Sequence, residues 1–390
     1  MSQSPVHNLH PSPTLALIAK VQALRARGED IVSFAAGEPD FETPEPVKEA
    51  AVKAIRDGFT KYTPSAGIPE LREAVARKLL QENALSVQAD HVVVSCGAKH
   101  ALYNALLAVC SAGDEVIILT PAWPTYREQI ILVGAKPVFV PTHAKDNYLP
   151  DVDLLRSALT PQTRAIIINT PTNPTGAVYP KDCLMQIADL AVSKNLVVIS
   201  DEIYEKLVYD GREHVSIASL GKEIAQRTIT IGGVSKSFAM TGWRIGWAVA
   251  KKEWATLMST IQDQVTSNPS SISQKAALAA LELPAEICIK YKREFSERRK
   301  LMLDLLFAIK DLHFSVPAGA FYFFVEVSPF LKGSLSDTEL CSLLVEKNKV
   351  ACVPGSAFHA EGYLRLTYAL GKEQIQTGIQ RLSEGLQSTT

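Results

Sequence analysis

The sequence has no long apolar run, no excess of one charge and few cysteines. Its 390 residues include 40 basic and 41 acidic residues, which leave a formal net charge of -1. The longest apolar stretches, such as Ala165–Ile168 and Leu196–Ile199, have the length of a strand and are too short to span a bilayer. Because no run of one charge could follow a phosphate backbone or an anionic membrane, we expect neither nucleic acid nor membrane as a partner.

The cysteines do not form a pattern typical of a metal site or a disulfide framework. None belongs to a CxxC pair, and six cysteines are too few to form a disulfide framework that would stabilise a chain of this length. We therefore expect reduced core thiols and no metal. The first residues lack a basic start followed by an apolar core, so we predict no secretory signal and a cytoplasmic location. The cysteines are Cys96, Cys110, Cys183, Cys288, Cys341 and Cys352.

The composition, with 47% hydrophobic and 21% charged residues and no internal repeat, predicts that nearly the whole chain folds. From Ala36 to about Ile289, helical patterns alternate with short β-branched runs, as in a wound α/β sheet. We expect a mostly parallel seven-stranded sheet with helices on its faces. The predicted strands are His91–Ser95, Glu115–Leu119, Lys136–Val140, Arg164–Asn169, Leu196–Ser200, Thr228–Ile231 and Arg244–Ala250.

Beyond the charged helical stretch Tyr291–Lys310 the pattern changes and predicts a smaller α/β domain. We divide the chain into an N-terminal segment (1–44) that packs with the small domain, a large domain (45–290) and the small domain (291–390). The predicted elements of the small domain are a hairpin-like Phe314–Val327, a helix opened by a capping box of Ser336 and Glu339, strands at Val350–Val353 and Tyr363–Tyr368, and a helix striped by Ile375, Ile379 and Leu382.

The segment TITIGGVSKSFAMTGWRIGW places Lys236 just after a predicted strand. A lone lysine is usually a solvated surface charge. Here small neighbours allow a ligand to approach the backbone, and Arg244 offers a planar fork suited to a phosphate. A Walker phosphate loop is excluded, because that motif needs Gly directly before the lysine and Ser235 stands there.

Three other predicted strands are followed by polar residues. Asp201, in SDEIY, stands where open α/β sheets bind ligands, although it could instead cap a helix. Asn173, in the turn NTPTNPTG, has an amide that could donate to a ring oxygen. Cys96–His100, CGAKH, opens a helix whose free N–H groups could seat a phosphate. On a later strand, Arg365 could be an exposed residue or a clamp for a carboxylate.

Together these segments resemble the class I aminotransferases of fold type I, most closely the bacterial aspartate aminotransferase branch called Ib. The resemblance runs from about Pro11 to the C-terminus, in the family's order and spacing. The matching stretches are PSPTLALIAK, SFAAGEPDFETP, KYTPSAGIPELREAV, TPAWPTY, NTPTNPTGAVYP, SDEIYE, SKSFAMTGWRIGW, GAFY, VPG and LRLTYA.

The resemblance implies pyridoxal 5'-phosphate as the cofactor, held by a Schiff base on Lys236, which would also transfer protons. Asp201 would pair with the pyridine nitrogen. The remaining implied contacts are Asn173 and Tyr204 at the phenolic oxygen, Trp123 stacked on the ring, the Ala98–Lys99 backbone, Ser235 and Arg244 at the phosphate, and Tyr62 at the phosphate in the neighbouring subunit. This last contact implies a homodimer with shared active sites.

For the substrate, the resemblance implies that Arg365 clamps the α-carboxylate beside a main-chain contact from Gly37. Lys99 is similar to the lysine that meets a distal carboxylate in this branch, and Trp123 and Asn173 would also contact the substrate. These residues favour aspartate and glutamate. One departure is His10, where several members carry Lys or Arg, and it bears on substrates such as prephenate.

The implied function is aspartate aminotransferase, which moves the amino group of L-aspartate to 2-oxoglutarate by a ping-pong mechanism. The small-molecule partners would be amino and oxo acids. Alternatives are an aromatic or prephenate aminotransferase of the same family and a β-lyase on the same fold, since fold does not choose the bond broken. A non-catalytic regulator would need a DNA-binding module, for which the extent of the resemblance leaves no room.

Overall fold

The structure, a computed structural model, describes residues 5–388. Residues 1–4 and 389–390, which belong to the predicted terminal segments, lie outside the described residues. The α-helices are α1 Pro13–Arg25, α2 Glu45–Arg56, α3 Pro69–Asn83, α4 Ala98–Val109, α5 Thr125–Leu132, α6 Val152–Ser157, α7 Lys181–Ser193, α8 Lys222–Ala225, α9 Lys252–Val265, α10 Ser271–Leu281, α11 Glu286–Phe307, α12 Asp337–Asn348 and α13 Lys372–Ser388.

The strands form one large and two smaller sheets. They are β1 Val32–Ser33, β2 Val92–Ser95, β3 Glu115–Thr120, β4 Lys136–Pro141, β5 Thr163–Asn169, β6 Val197–Asp201, β7 Thr228–Gly233, β8 Gly246–Val249, β9 His313–Phe314, β10 Tyr322–Glu326, β11 Val350–Ala351, β12 Val353–Pro354 and β13 Tyr363–Thr367.

The large sheet has seven strands in the order β2-β8-β7-β6-β5-β3-β4, and only β8 runs antiparallel to its neighbours. All seven strands predicted from the sequence are present, which confirms the mostly parallel seven-stranded sheet. The observed strand ends differ from the predicted ones by at most two residues. The strand predicted from Arg244 begins at Gly246, because Arg244 has a left-handed backbone with φ of 55° that cannot join the ladder.

The central strands are apolar along most of their length because both faces of the sheet are buried there. Every residue of β6 and β7 is buried, and apolar side chains of β5 and β6 point into two separate hydrophobic clusters. Helices α4 and α7 contribute to these clusters, one to each. A parallel sheet covered on both faces needs such continuous β-branched runs, and the runs made the strands recognisable in the sequence.

The C-terminal part contains a four-stranded antiparallel sheet, β12-β13-β10-β9, which we call the small sheet. The hairpin is confirmed by the pairing of β9 with β10, and the capping box of Ser336 and Glu339 opens α12 as predicted. The strand predicted at Val350–Val353 is split. Its first half, β11, pairs in parallel with β1, whereas β12 joins the small sheet.

The pairing of β1 with β11 brings the N-terminal segment to the C-terminal part, since Val32 lies opposite Val350. The division into residues 1–44, 45–290 and 291–390 remains a prediction. Among the described residues, no helix is long and apolar enough to cross a membrane. All six cysteines are free, as predicted: Cys341 and Cys352 are buried, Cys110, Cys183 and Cys288 are partly buried against the hydrophobic clusters, and Cys96 is partly buried.

Candidate active site

A cavity of about 300 Å³ lies where the chain leaves several strands of the large sheet. It is lined from the other side by the N-terminal segment and the small sheet. Every site residue predicted from the sequence lines this cavity except Tyr62. Those that line it are Gly37, Ala98, Lys99, Trp123, Asn173, Asp201, Tyr204, Ser235, Lys236, Arg244 and Arg365.

Lys236 follows β7 and extends its amine into the cavity. Its Nζ donates a hydrogen bond to the carbonyl oxygen of Gly37 at 2.6 Å. Burial lowers the pKa of Lys236 to about 8; the carboxylate of Glu38 opposes this shift, and the guanidinium groups of Arg244 and Arg365 add to it. Near neutral pH a useful fraction of this amine is therefore unprotonated and can act as a nucleophile or a base.

Asp201 is the last residue of β6, the middle strand of the large sheet. Its Oδ2 accepts a hydrogen bond from the hydroxyl of Tyr126 at 2.7 Å, and its Oδ1 accepts one from the N–H of Ile203 at 3.2 Å. Burial raises the pKa of Asp201 to about 6, and the two hydrogen bonds oppose the rise. No helix follows directly, so the alternative that Asp201 caps a helix is wrong.

The start of α4 and Arg244 form a cradle for an anion. Gly97 precedes α4 with φ of 87°, and a Cβ there would lie 2.5 Å from Nη2 of Arg244, so only glycine admits the guanidinium this closely. The N–H groups of Ala98 and Lys99 lack partners within the helix, as at any helix N-terminus. Arg244 is held by a hydrogen bond from its Nη1 to the carbonyl of Thr241 at 2.8 Å. This combination suits a phosphate.

Arg365 lies on β13 and is 2% exposed, which rules out the alternative of an exposed strand residue. Its Nη1 donates to Oδ1 of Asn173 at 3.0 Å and its Nη2 to the carbonyl of Ala35 at 2.7 Å. Its Nε has no hydrogen-bond partner, and no acidic residue in the described part of the chain forms an ion pair with it. A buried cation that lacks an anion fits the carboxylate of a ligand.

Lys99 brings a second cation to the cavity. Its Nζ lies 4.9 Å from the ring centroid of Trp123. Desolvation lowers the pKa of Lys99, and the positive charge of Arg244 lowers it further. The main chain at this point is fixed by Gln129 of α5, whose Nε2 donates to the carbonyl of Lys99 at 2.8 Å. Lys99, in the first turn of α4, and Arg365, on the small sheet, thus line one cavity and can hold two anionic groups.

Tyr62 lies outside this cavity and is 91% exposed, so its assignment to the site of a neighbouring subunit remains a prediction. The N-terminal segment contributes residues that the sequence did not indicate: Thr14 and Leu15 line the cavity. Just before them, the N–H of His10 donates to Oε2 of Glu128 at 2.9 Å. The start of α1 is thereby attached to α5 beside the cavity.

Two tyrosines were missed as site residues, although each lies in a stretch that carries the family resemblance. Tyr126 is in TPAWPTY and donates to Asp201. Tyr322 is in GAFY, and its hydroxyl lies 2.9 Å from the hydroxyl of Tyr204. The pattern of apolar residues could not reveal them, because in a sequence a buried tyrosine looks the same as any core aromatic residue until the partner of its hydroxyl is known.

Behind Asp201, a buried polar network holds the segment that carries Tyr204. Glu202 accepts hydrogen bonds from two serine hydroxyls at 2.8 Å and from Nε2 of His214 at 3.0 Å. Glu205 forms an ion pair with Lys78. Glu202, Glu205 and His214 are close enough to hold a metal ion, but protein donors already engage their carboxylates. The network therefore serves to fix the backbone between Asp201 and Tyr204.

The arrangement can bind a phosphorylated ring compound that reacts with an amine. It offers a phosphate cradle, an aromatic wall at Trp123, a buried carboxylate at Asp201 and a lysine of lowered pKa. The two further cations, Lys99 and Arg365, remain for a second, anionic ligand.

Comparison with known proteins gives matches over nearly the whole chain. The family model for aminotransferase class I and II matches residues 29–382. A probable aspartate/prephenate aminotransferase of Aquifex aeolicus is 43% identical over 386 residues, 98% of each chain. The aspartate aminotransferase of Geobacillus stearothermophilus is 41% identical over 97% of this chain and 96% of its own. The solved aspartate aminotransferase from Thermus thermophilus with maleate has a TM-score of 0.93 and 42% identity, with 99% and 100% of the two chains covered.

Proposed function

The chain belongs to the aminotransferase class I and II family, and on that premise we propose that it transfers the amino group of L-aspartate to 2-oxoglutarate. The observation that carries the proposal is that two cations, Arg365 and Lys99, line the same cavity as Lys236. One cation would serve any amino acid. Two suit substrates that carry a carboxylate at each end.

The family's cofactor, pyridoxal 5'-phosphate, supplies an aldehyde that receives the amino group and a ring that accepts electrons from the α-carbon. The residues of the cavity fit it, since the Gly97–Arg244 approach makes a cradle that a Cβ would fill. We assign Lys236 to the aldehyde, Asp201 to the ring nitrogen, Asn173 and Tyr204 to the phenolic oxygen, Trp123 to the ring face, and Ser235, Arg244 and the Ala98–Lys99 backbone to the phosphate.

Lys236 is the residue that moves protons in this proposal. When its Nζ is free and neutral, this amine would accept the α-proton of the substrate. The surroundings favour that neutral form, because burial lowers the pKa of Lys236 to about 8. The hydrogen bond to the carbonyl of Gly37 holds Nζ at the boundary between the two halves of the cavity.

Arg365 and Lys99 would determine the substrate specificity. The guanidinium of Arg365 is held by Asn173 and Ala35, and its remaining N–H groups would hold the α-carboxylate. The ammonium of Lys99 would meet the distal carboxylate of aspartate or 2-oxoglutarate. The similar Thermus thermophilus enzyme was solved with maleate, a dicarboxylic acid, which supports a dicarboxylate as the ligand of this cavity.

A second candidate is a prephenate or aromatic aminotransferase. Three similar proteins are named aspartate/prephenate aminotransferases, two of them as probable, and the enzyme from Thermus thermophilus is 43% identical. Leu15, 61% exposed, gives the cavity an apolar side that could contact a ring. Prephenate also carries two carboxylates, so it is compatible with Lys99 and Arg365.

We further infer a homodimer in which Tyr62 reaches the phosphate of the neighbouring subunit's cofactor. An aromatic side chain that is 91% exposed and adjoins a groove lined by residues 266–268 and 270–272 is consistent with a buried position in a dimer. The division at residues 44 and 290 and the cytoplasmic location remain part of this proposal.

The test is a steady-state assay with aspartate and 2-oxoglutarate. We expect equal amounts of oxaloacetate and glutamate, and a higher kcat/KM for aspartate than for phenylalanine. Release of ammonia and pyruvate from suitable donors without glutamate would identify a lyase and overturn the proposal. A higher kcat/KM with prephenate as acceptor than with 2-oxoglutarate would favour the second candidate.

A further inference from the structure

Tyr126 contacts the carboxylate on which the cofactor chemistry depends. It lies in the first turn of α5, is 2% exposed, and donates its hydroxyl proton to Oδ2 of Asp201 at 2.7 Å. In the described part of the chain, no other side chain donates to this carboxylate, whose Oδ1 accepts from the N–H of Ile203. A phenol has one proton to donate, so this bond fixes the orientation of both groups.

The same side chain also supports the aromatic wall of the cavity. The ring of Tyr126 meets the ring of Trp123 edge to face, with centroids 5.4 Å apart and an interplanar angle of 88°. Helix α5 additionally holds the start of α4 through Gln129. Tyr126 therefore connects the carboxylate side of the cavity to its stacking wall, through two contacts that can be separated by mutation.

The charges around Asp201 show what the hydroxyl contributes. Burial raises the pKa of Asp201, and the hydrogen bond from Tyr126 is the largest opposing effect. Glu202, next along the chain, raises this pKa further, whereas the ammonium of Lys236 lowers it. The remaining phenol nearby is Tyr204, whose own pKa is raised well above its ordinary value by burial. Without Tyr126, Asp201 would be protonated over more of the neutral range.

We propose that Tyr126 is a positioning residue whose hydroxyl holds Asp201 ionised and oriented to pair with the protonated ring nitrogen of the cofactor. The inference rests on the proposed function, because it takes Asp201 to be the partner of that nitrogen. A neutral or misdirected carboxyl would weaken both the binding of the cofactor and its capacity to accept electrons.

The substitution Tyr126→Phe isolates the hydroxyl, because it keeps the ring that contacts Trp123. A matched control is Tyr209→Phe. Tyr209 is 1% exposed, and its hydroxyl donates to the carbonyl of Ala320 at 2.6 Å, so this variant also loses a buried phenolic hydrogen bond. Both variants should lose some thermal stability. Only the first should change the affinity for the cofactor.

The experiment measures the dissociation constant of pyridoxal phosphate by titrating apoenzyme, together with the absorbance of the holoenzyme as a function of pH. We expect Tyr126→Phe to raise the dissociation constant about tenfold, the typical effect of a hydrogen bond to a charged group, and to shift the pH dependence of the spectrum. Tyr209→Phe should change the constant less than about twofold.

A double mutant tests whether the hydroxyl acts through the carboxylate. In an Asp201→Asn background, Tyr126→Phe should add less than about twofold to the dissociation constant. The inference is overturned if Tyr126→Phe leaves the affinity and the spectrum unchanged, or if its effect is as large without the carboxylate as with it. Cofactor affinity is measured without any amino acid, so a protein that binds the cofactor but does not transaminate aspartate refutes the proposed function alone.

Discussion

The two sides of the cavity are held in place by different means. On the side we call the sheet-edge side, Lys236, Asp201 and Asn173 stand at or just after strands of the large sheet, so each position is set by the strand before it. On the opposite, long-range side, Arg365 donates to the carbonyl of Ala35, 330 residues away in sequence. The sheet-edge side would bind the cofactor, and the long-range side would bind the α-carboxylate of the substrate.

Because the two sides of the cavity are held by different parts of the fold, we expect cofactor binding and substrate binding to respond to different mutations. The sheet-edge side is preformed by local strand and loop structure, whereas the long-range side needs β1, β11 and the small sheet to assemble correctly. Lys236 joins the two sides through its hydrogen bond to Gly37. Changes on the long-range side should therefore impair catalysis while the cofactor remains bound.

The largest effect is expected at the residue that joins the two sides. Lys236→Ala removes the amine to which we assign the attachment of the cofactor and the proton transfer, so kcat should fall by at least about 10⁴-fold and the visible absorbance band should disappear. Lys252→Ala, which alters an exposed ion pair with Asp90, serves as the control and should retain both. Multiple turnover at an undiminished rate in Lys236→Ala would contradict the mechanism.

The second prediction separates the two sides directly. Arg365→Lys keeps a positive charge but loses the planar fork, so kcat/KM for aspartate should fall about 100-fold while the dissociation constant of the cofactor changes little. Arg156→Lys is a control at an exposed arginine that pairs with Asp153. An equal loss of cofactor affinity in Arg365→Lys would show that the two sides are not separable.

The sequence predicted the sheet-edge side better than the long-range side. Lys236 and Asp201 were found because continuous β-branched runs mark buried parallel strands, and a polar residue at the end of such a run stands out. The alternating pattern of its strand could not show that Arg365 is buried, because Arg365 packs against a segment distant in sequence and donates to the carbonyl of Ala35, 330 residues away. Tyr126 was missed because its partner is on another element.

The third prediction concerns the charge of Lys236 in the apoenzyme. The pKa of Lys236 in the folded protein, about 8, lies below the ordinary 10.5. Between pH 8 and pH 10.5 the folded state therefore binds fewer protons than the unfolded state. The free energy of unfolding consequently rises with pH across this range. Lys236→Met should therefore be more stable than the wild type below pH 8, by about 3 kcal/mol. This difference should shrink towards pH 10.5.

Chemical unfolding of both apoenzymes across this pH range measures the difference. A gap that is independent of pH would mean that the amine is not destabilised by burial, and that the lysine reaches its neutral form by another route. Comparing the two proteins at each pH cancels the titration of groups that do not interact with Lys236.

The smallest effect is expected at the phosphate cradle of the sheet-edge side. Gly97→Ala should weaken cofactor binding about fivefold, because the new Cβ would displace Arg244 and strain a backbone with positive φ. Gly113 has a similar φ of 91°, but a Cβ there would meet no atom within 4 Å, so Gly113→Ala provides the same strain without the contact. Equal cofactor affinity in the two variants would argue against the cradle.

The most direct test of the account is the rate of a single half-reaction in wild type and Lys99→Met. The cofactor-loaded protein is mixed separately with aspartate, glutamate, alanine and phenylalanine, and the loss of the visible band is followed. The account predicts that aspartate and glutamate react fastest, and that Lys99→Met slows aspartate about tenfold while alanine changes less than about twofold. A faster reaction with phenylalanine, or an equal loss for all four amino acids, would contradict the role of Lys99 and Arg365 as the pair that selects dicarboxylates.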